Sequence, residues 1–466
     1  MMGFQVVVLW SDVLIWLLVA AGIGLGVLIA RNPPLLAAWR RVGANRVGMA
    51  SATVLFAFIL IGLLDSLHYR VQLEGKPGQK ASYAIEVLSV LDVLAAPLRL
   101  RNEKTYSEPF ATRLYAKETI DLPGQGTVRD YPRLKHGGQH LGEREGDVAA
   151  DAGFTAVKAG GLALLAWLGI FGAVSVLRRN ATVSGKKSPK MKNDEPGFAW
   201  DAVLGTLALI LLTAVPLFWL AGQYHVFGTD KVGQDVLYQI LKSVRTGLII
   251  GLVTTLVMLP MAVLLGIVAG YFRGWVDDLI QYLYTVLNSI PGVLLIAAAV
   301  LMMQVVIDSH PEWFSTAAER ADLRLLALCF ILGITSWTGL CRLLRGETLK
   351  LRELEYIQAA QAFGVSSWRI IVRHILPNLM HIVIIALVMD FSGLVLAEAV
   401  LSYVGIGVDP TMTSFGTMIN NARMELGREP VVWWSLAAAF AAMFVLVLAA
   451  NLFADAVRDA FDPRAA

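Results

Sequence analysis

Long apolar runs alternate with short polar segments along most of the chain. A membrane-spanning helix needs about 20 predominantly apolar residues at a rise of 1.5 Å each. Nine stretches approach or exceed this length, at residues 13–30, 47–64, 159–177, 202–222, 246–272, 279–307, 325–341, 382–407 and 431–454. The pattern predicts an all-α polytopic membrane protein with about nine transmembrane helices.

Basic residues between the spans assign a side of the membrane to each loop. Arg31, Arg40 and Arg41 follow the first span, and the linker 178–198 and the segment 342–380 are also rich in Lys and Arg. Because short loops rich in Lys and Arg stay in the cytoplasm, we expect all three segments on that side. An even number of spans separates them, so the predicted topology is self-consistent and places the N-terminus outside.

One long hydrophilic stretch, residues 69–153, falls on the extracytoplasmic side in this topology. It is long enough for a small folded domain with a thin core. His136 and His140 have the spacing of two metal ligands on one helix face, but Gly137-Gly138 between them disfavours a helix. We therefore predict a surface loop there, without a metal site or catalytic residues.

Composition agrees with a membrane protein. The chain is 56% hydrophobic and 16% charged, with a mean hydropathy of +0.62, which excludes an ordinary soluble domain. Cys329 and Cys341 lie on one predicted span, where twelve helical residues separate them by about 18 Å. That separation is beyond disulfide reach, so both are predicted to be packing residues.

A short amphipathic helix is predicted inside the basic segment 342–380. Gly364 is suited to end it, because glycine adopts the left-handed conformation without a Cβ clash. Leu376-Pro377 is predicted to start the next span, where the missing N–H of proline costs nothing. An apolar helix face in a cytoplasmic loop suits docking into a groove on a partner protein. That face is predicted to comprise Tyr356, Ala359, Ala360 and Phe363.

The stretch from Gln358-Ala-Ala to Gly364, followed by Ile375-Leu-Pro377, resembles the coupling-loop motif of binding-protein-dependent ABC importer permeases. The chain is most similar in type to the C-type subunits of the dipeptide, oligopeptide and nickel group. Gln358 stands where the motif has a glutamate, so a charge pair with an ATPase subunit is absent there. Glu355, three residues earlier and near the same helix face, is the candidate replacement.

Further stretches carry the same resemblance, namely His225-Val-Phe-Gly-Thr-Asp230, Leu401-Ser-Tyr-Val-Gly-Ile-Gly407 and Ser414-Phe-Gly416. The resemblance is dense over 225–466 and loose over 35–68. It implies a six-helix importer core with three extra helices. The predicted organisation is an extra N-terminal helix (1–34), a first core helix (35–68), an extracytoplasmic insertion (69–153), an extra hairpin with a basic linker (154–224) and a permease domain (225–466).

The resemblance implies the permease subunit of an ATP-driven importer that moves peptides or peptide-like solutes across a bacterial or archaeal cytoplasmic membrane by alternating access. Gly185-Lys-Lys-Ser188 lacks the upstream glycine of a phosphate-binding loop, so no catalytic residue or cofactor is expected in this chain. ATP and Mg²⁺ would be bound by partners. The implied partners are a second homologous permease, two ATP-binding subunits, an extracytoplasmic binding protein, the cargo and membrane lipid, but no nucleic acid.

Polar residues inside the spans are costly and are therefore candidates for the substrate pathway. Asn288, Asp390 and Glu398 are the three predicted here; the alternatives are a helix–helix hydrogen bond for Asn288 and an interfacial position for Glu398. A nickel or opine importer permease, a secondary transporter, and a membrane-anchored receptor or enzyme that works through 69–153 remain open. Peptides are favoured over nickel, because only His381 and Met389 lie near the relevant spans as metal-binding side chains.

Overall fold

The computed structural model describes residues 4–73, 83–122, 126–142, 147–183, 197–314 and 316–461. The strands are β1 (Phe4–Val7), β2 (His68–Val71), β3 (Leu88–Ser89), β4 (Glu118–Leu122) and β5 (Gly126–Asp130). The helices are α1 (Trp10–Arg31), α2 (Pro33–Ala44), α3 (Arg46–Asp65), α4 (Val90–Leu94), α5 (Ala96–Arg99), α6 (Val148–Val183), α7 (Trp200–Ala221), α8 (Val236–Phe272), α9 (Trp275–Ser289), α10 (Gly292–Ser309), α11 (Ala317–Ser336), α12 (Thr338–Arg352), α13 (Glu355–Ala362), α14 (Ser367–Ile370), α15 (Leu376–Tyr403), α16 (Phe415–Glu425) and α17 (Trp434–Phe461).

Nine helical segments within the described ranges are long and apolar enough to cross a membrane. This confirms the predicted all-α polytopic architecture. Two of the nine are composite, because α11 and α12 run together as Ala317–Arg352 and α14 continues into α15 as Ser367–Tyr403. The basic side chains of the linker at 184–196 lie outside the described residues.

The predicted single span 279–307 is wrong. The helix breaks at Ile290, whose backbone is extended (φ −91°, ψ 132°), and the spanning helix α10 begins only after Pro291. A proline disfavours the helical conformation in the preceding residue and cannot donate a backbone hydrogen bond. Helix α9 is therefore a separate amphipathic helix, and α10 alone is the span.

The described residues of the 69–153 insertion contribute strands to two small antiparallel sheets. Strand β2 pairs with both β1 and β3, which ties the N-terminal strand to the insertion, and β4 pairs with β5. Leu91 and Leu98 of the insertion pack with Tyr224 and Leu237, which flank the α7–α8 junction. Leu91 and Leu98 of the insertion are thus buried against the membrane domain, and the last residues of the insertion already belong to α6.

Helix α8 is the central element of the bundle. Its 37 residues extend about 55 Å at 1.5 Å per residue, and it packs against α3, α11, α12 and α15. Gly266 and Gly270 allow α12 to approach closely, because a Cβ at Gly270 would lie only 2.6 Å from the Cβ of Thr348. Small residues at this four-residue spacing are typical of tight helix packing in membranes. Helices α6 and α7 form a hairpin that contacts the bundle through α3.

Candidate functional site

The predicted amphipathic helix is present as α13. Its end is closed by hydrogen bonds from the Phe363 N–H to the Ala359 carbonyl and from the Val365 N–H to the Ala360 carbonyl, both 3.0 Å. Gly364 has φ +74°, the left-handed conformation that glycine adopts without strain. The helix therefore ends where the sequence predicts.

Helix α13 has one free face and one anchored face. Phe363 is 87% exposed and Tyr356 is 46% exposed, and Glu355, Gln358 and Ala359 are exposed as well. Ile357 is fully buried among core residues on the other side. Ala360, which the spacing places in the docking face, is half-buried against this same core. Sequence reasoning missed Ile357, although a lone large apolar residue opposite a stripe is a usable signal.

The two polar candidates on α13 differ in their surroundings. The amide nitrogen of Gln358 donates to the backbone carbonyl of Glu353 at 3.3 Å. The carboxylate of Glu353 in turn pairs with Arg273, in the turn after α8. Gln358 is thus held by its own chain, whereas the carboxylate of Glu355 is exposed on the free side.

The prediction that Leu376-Pro377 starts the next α-helix is confirmed, because α15 begins at Leu376 and Pro377 lies in its first turn. The helical backbone begins already at Ser367 and passes through a π-helical segment, Ile371–Ile375, directly before Leu376. A proline cannot donate to the carbonyl four residues back and its ring crowds that carbonyl. The local change of register before Pro377 accommodates both effects without ending the helix. Leu376 is half-buried and Pro377 is exposed.

Strong polar contacts connect the segment 342–380 to the neighbouring helices α8 and α9. The guanidinium of Arg345 on α12 donates to both carboxylate oxygens of Asp277 on α9, at 2.5 and 2.6 Å. Arg352 Nη1 donates to the carbonyl of Tyr271, near the end of α8, at 2.7 Å. Paired hydrogen bonds of this kind fix geometry as well as distance. Together with the close α8–α12 packing, they join α12 to α8 and α9.

A second organised region, the His225 cluster (Glu103, His225 and Asp235), lies at the opposite end of α8. His225 Nδ1 is 2.7 Å from Asp235 and Nε2 is 3.4 Å from Glu103. Burial by itself would lower the pKa of His225, but the two carboxylates outweigh burial and raise that pKa to about 9. The imidazole is therefore charged at neutral pH and donates from both nitrogens.

Glu103 belongs to the insertion and is the hydrogen-bond acceptor that links the insertion to His225. Its carboxylate accepts from the backbone N–H groups of Lys135, His136 and Gly137 at 2.8, 2.7 and 3.1 Å. Burial would raise its pKa, but these bonds and His225 lower the pKa to about 2. Sequence reasoning missed this cluster, since nothing in the local pattern links residue 103 to residue 225.

Two glycines of the 225–235 segment allow the insertion to approach the backbone. Gly233 has φ +76°, and a Cβ there would lie 1.9 Å from the carbonyl oxygen of Glu103. Gly228 has φ +70°, and a Cβ there would lie 2.5 Å from the carbonyl oxygen of Ser107. The indole N–H of Trp434 donates to the Thr229 carbonyl at 3.0 Å. The insertion, the 225–235 segment and α17 therefore form one packed unit.

The structure does not bring the three polar candidates of the spans together. Asn288, exposed near the end of α9, accepts from Thr338 Oγ1 at 3.1 Å, which corresponds to the helix–helix alternative. Glu398 is 2% exposed and accepts from Ser402 and Ser414 at 2.6 and 2.8 Å, and an interfacial position for it stays a prediction. Asp390 is half-buried. Within the described ranges, no group of three or more His, Cys, Asp and Glu side chains suited to a metal ion is found.

Comparison with known proteins defines the class. Residues 262–466 match the family described as binding-protein-dependent transport system inner membrane component. The chain is 34% identical over 242 residues to the glutathione transport system permease protein of Pectobacterium atrosepticum, covering 52% of this chain and 73% of the relative. The oligopeptide transport system permease protein of Mycobacterium bovis is 32% identical over 242 residues, with 52% and 77% covered. The dipeptide transport system permease protein of Lactococcus lactis is 31% identical over 241 residues, with 52% and 64% covered.

The fold and these similarities define a multi-pass transport permease. The chain belongs to the family of binding-protein-dependent transport system inner membrane components. It is a permease subunit of the ABC importer type rather than an enzyme.

Proposed function

We propose that this permease moves peptides or peptide-like solutes into the cell across a bacterial or archaeal cytoplasmic membrane. The printed names of its relatives, which include dipeptide, oligopeptide and glutathione permeases, support this class of cargo. Nickel and opines are the alternatives within the same group. The observation that carries the proposal is the free face of α13, with Phe363 at 87% exposure beside an anchored Ile357.

The coupling mechanism follows from rigid connections. ATP and Mg²⁺ bind to two partner subunits, and their closure moves α13, whose free face docks into a groove on one of them. Since α13 is anchored by Ile357 and α12 is held to α8 through Arg352, Gly266 and Gly270, the movement passes to α8. A second homologous permease forms the other half of the pathway, and an extracytoplasmic binding protein delivers the cargo. The pathway opens alternately to the two sides.

The topology inferred from basic residues puts α13 in the cytoplasm and the His225 cluster outside. Residues 69–153 then cover the outer end of α8, where they either contact the binding protein or shield the mouth of the pathway. Because they pack closely against the 225–235 segment, we infer that they form a fixed part of the outer surface and not a separate domain on a tether. Cysteine labelling in intact cells tests this side assignment, with impermeant reagent expected to reach Lys104→Cys and not Phe363→Cys.

Substitution of the docking face tests the central claim. Phe363→Asp introduces a charge on the free face and should abolish co-purification of the ATP-binding subunits and ATP-driven peptide uptake. Trp313→Asp is the matched control, because Trp313 is also a largely exposed aromatic residue (58%) but lies in the segment between α10 and α11. Co-purification that survives Phe363→Asp unchanged would contradict docking through α13. Absence of peptide uptake by the unmodified importer would contradict the cargo assignment alone.

A further inference from the structure

A cavity of about 570 Å³ lies where α1 and the insertion meet α8, α11 and the loop before α16. Its volume is within the usual range for sites of small ligands. We call it the Lys242 cavity. The ionisable residues among its lining are Asp65, His68, Glu86, Lys242, Arg245 and Asp322. It combines residues of the permease domain with residues of the two segments that have no counterpart in the family resemblance.

The cations of the Lys242 cavity are already paired with carboxylates. Lys242 Nζ lies 2.5 Å from Asp65 Oδ1 and 3.1 Å from Asp92 Oδ1. Arg245 Nη2 lies 2.7 Å from Asp12 Oδ1, and the other oxygen of Asp12 is 2.8 Å from His68 Nδ1. The positive charges therefore do not leave the cavity electropositive.

Asp322 is the carboxylate of this network that makes no direct ion pair among the described residues. It is 2% exposed and accepts from the Ser11 N–H at 3.1 Å and from the Ser11 hydroxyl. Within the described residues, no basic nitrogen of a Lys, Arg or His side chain lies within 4 Å of the Asp322 carboxylate. The groups that line the cavity or pair with its lining include five carboxylates (Asp12, Asp65, Glu86, Asp92 and Asp322) but three permanent cations (Arg99, Lys242 and Arg245) and His68. An excess of negative charge remains even when His68 is protonated.

Arg245 is next to Asp322 and has unused hydrogen-bonding capacity. Its Nη2 donates to Ser11 Oγ at 2.8 Å, and the same hydroxyl donates to Asp322, so one serine bridges the two side chains. Arg245 is 5% exposed, and its Nε has no hydrogen-bond partner within the described part of the chain. A buried donor without a partner is costly. A ligand that fits here brings one cationic group and one neighbouring acceptor.

We propose that the Lys242 cavity binds the amino-terminal residue of the cargo. The ammonium group pairs with Asp322, and the adjacent peptide carbonyl accepts from the guanidinium of Arg245. These two groups are neighbours in every peptide with a free amino terminus, whereas an acetylated peptide lacks the charge. The inference deepens the proposed function and rests on it, since it assigns a residue-level preference to an importer of peptide-like solutes.

The test compares uptake of the tripeptide Ala-Ala-Ala with uptake of its N-acetylated form by the complete importer in proteoliposomes. We expect Asp322→Asn, which keeps the shape and one acceptor, to reduce the preference for the free amino terminus about ten-fold. Asp308→Asn is the matched control, because Asp308 is a half-exposed carboxylate paired with Arg324 and outside the cavity lining. The same binding protein is present throughout, so its own preference cancels when the ratios of variants are compared.

An unchanged ratio in Asp322→Asn would overturn the inference. If that variant fails to assemble, equilibrium binding of labelled Ala-Ala-Ala to the unmodified importer without binding protein decides instead. Competition by unlabelled Ala-Ala-Ala about ten-fold better than by its acetylated form is expected there, and equal competition would overturn the inference. Failure of the proposed function is distinguishable, because the unmodified importer would then transport neither tripeptide.

Discussion

Glu103→Gln tests whether the His225 cluster holds the insertion in place. The pKa of His225 is about 9 against an ordinary value of 6.5, which corresponds to about 3 kcal/mol at about 1.4 kcal/mol per pH unit. Glu103 is 2% exposed at its side chain, so solvent screening does not reduce this figure much. Since Asp235 remains as a partner in the variant, we expect a loss of about 2 kcal/mol, the scale of one hydrogen bond to a charged group.

The assay is amide hydrogen exchange of the peptides that contain residues 103–107 and 225–235. A loss of about 2 kcal/mol should speed exchange through local opening about 30-fold. Glu118→Gln is the control, because Glu118 lies in the same insertion but pairs with the exposed Lys104, and exposed pairs contribute little. Equal exchange rates in the two variants would refute the conclusion that the His225 cluster holds the insertion in place.

The pH dependence of the same protection gives an independent check. The raised pKa of His225 means that its contribution is complete below about pH 6.5 and is lost as pH rises through about 9. The lowered pKa of Glu103 means that its contribution is complete above about pH 4.5 and is lost as pH falls towards 2. Protection, corrected for intrinsic exchange, should therefore be greatest between about pH 4.5 and 6.5. Protection that rises steadily from pH 6.5 to 9 would contradict the argument.

Three further predictions concern coupling. Gly364→Val should lower the amount of peptide transported per ATP hydrolysed at least about ten-fold without unfolding the membrane domain, because a β-branched residue disfavours φ +74°. Full transport by this variant would contradict the role of the helix end at Gly364 in coupling. Gly270→Leu should lower the melting temperature of the purified permease through about 1–3 kcal/mol of overpacking against Thr348, whereas Gly346→Ala, with open space around it, should not. Glu355→Ala should weaken association with the ATP-binding subunits, measured by co-purification, more than Gln358→Ala does; equal, negligible effects would show that apolar contacts dominate.

Local sequence patterns were sufficient for most of the spanning helices and for α13. Apolar length alone predicts the nine spans, since a bilayer demands about 20 apolar residues regardless of neighbours. The end of α13 at Gly364 was equally predictable, because a left-handed closing residue is a local requirement. The local signal failed at Ile290, before Pro291, and this proline and Pro377 had opposite outcomes. The helix breaks before Pro291, whereas a π-helical segment precedes Pro377 and the helix continues. The surrounding packing decides between these outcomes.

The sequence by itself determined the membrane class, the number of spans and the position of α13, because hydrophobic length and helical periodicity are properties of neighbouring residues. Only the tertiary structure decided which charges meet. Glu103 reaches His225 across 122 positions, and Ser11 reaches Asp322 across 311. Ion pairs and buried cavities depend on distances in space, and the energy of a charge depends on what surrounds it. The contacts of the insertion and of α1 with the permease domain could therefore be read only from the fold.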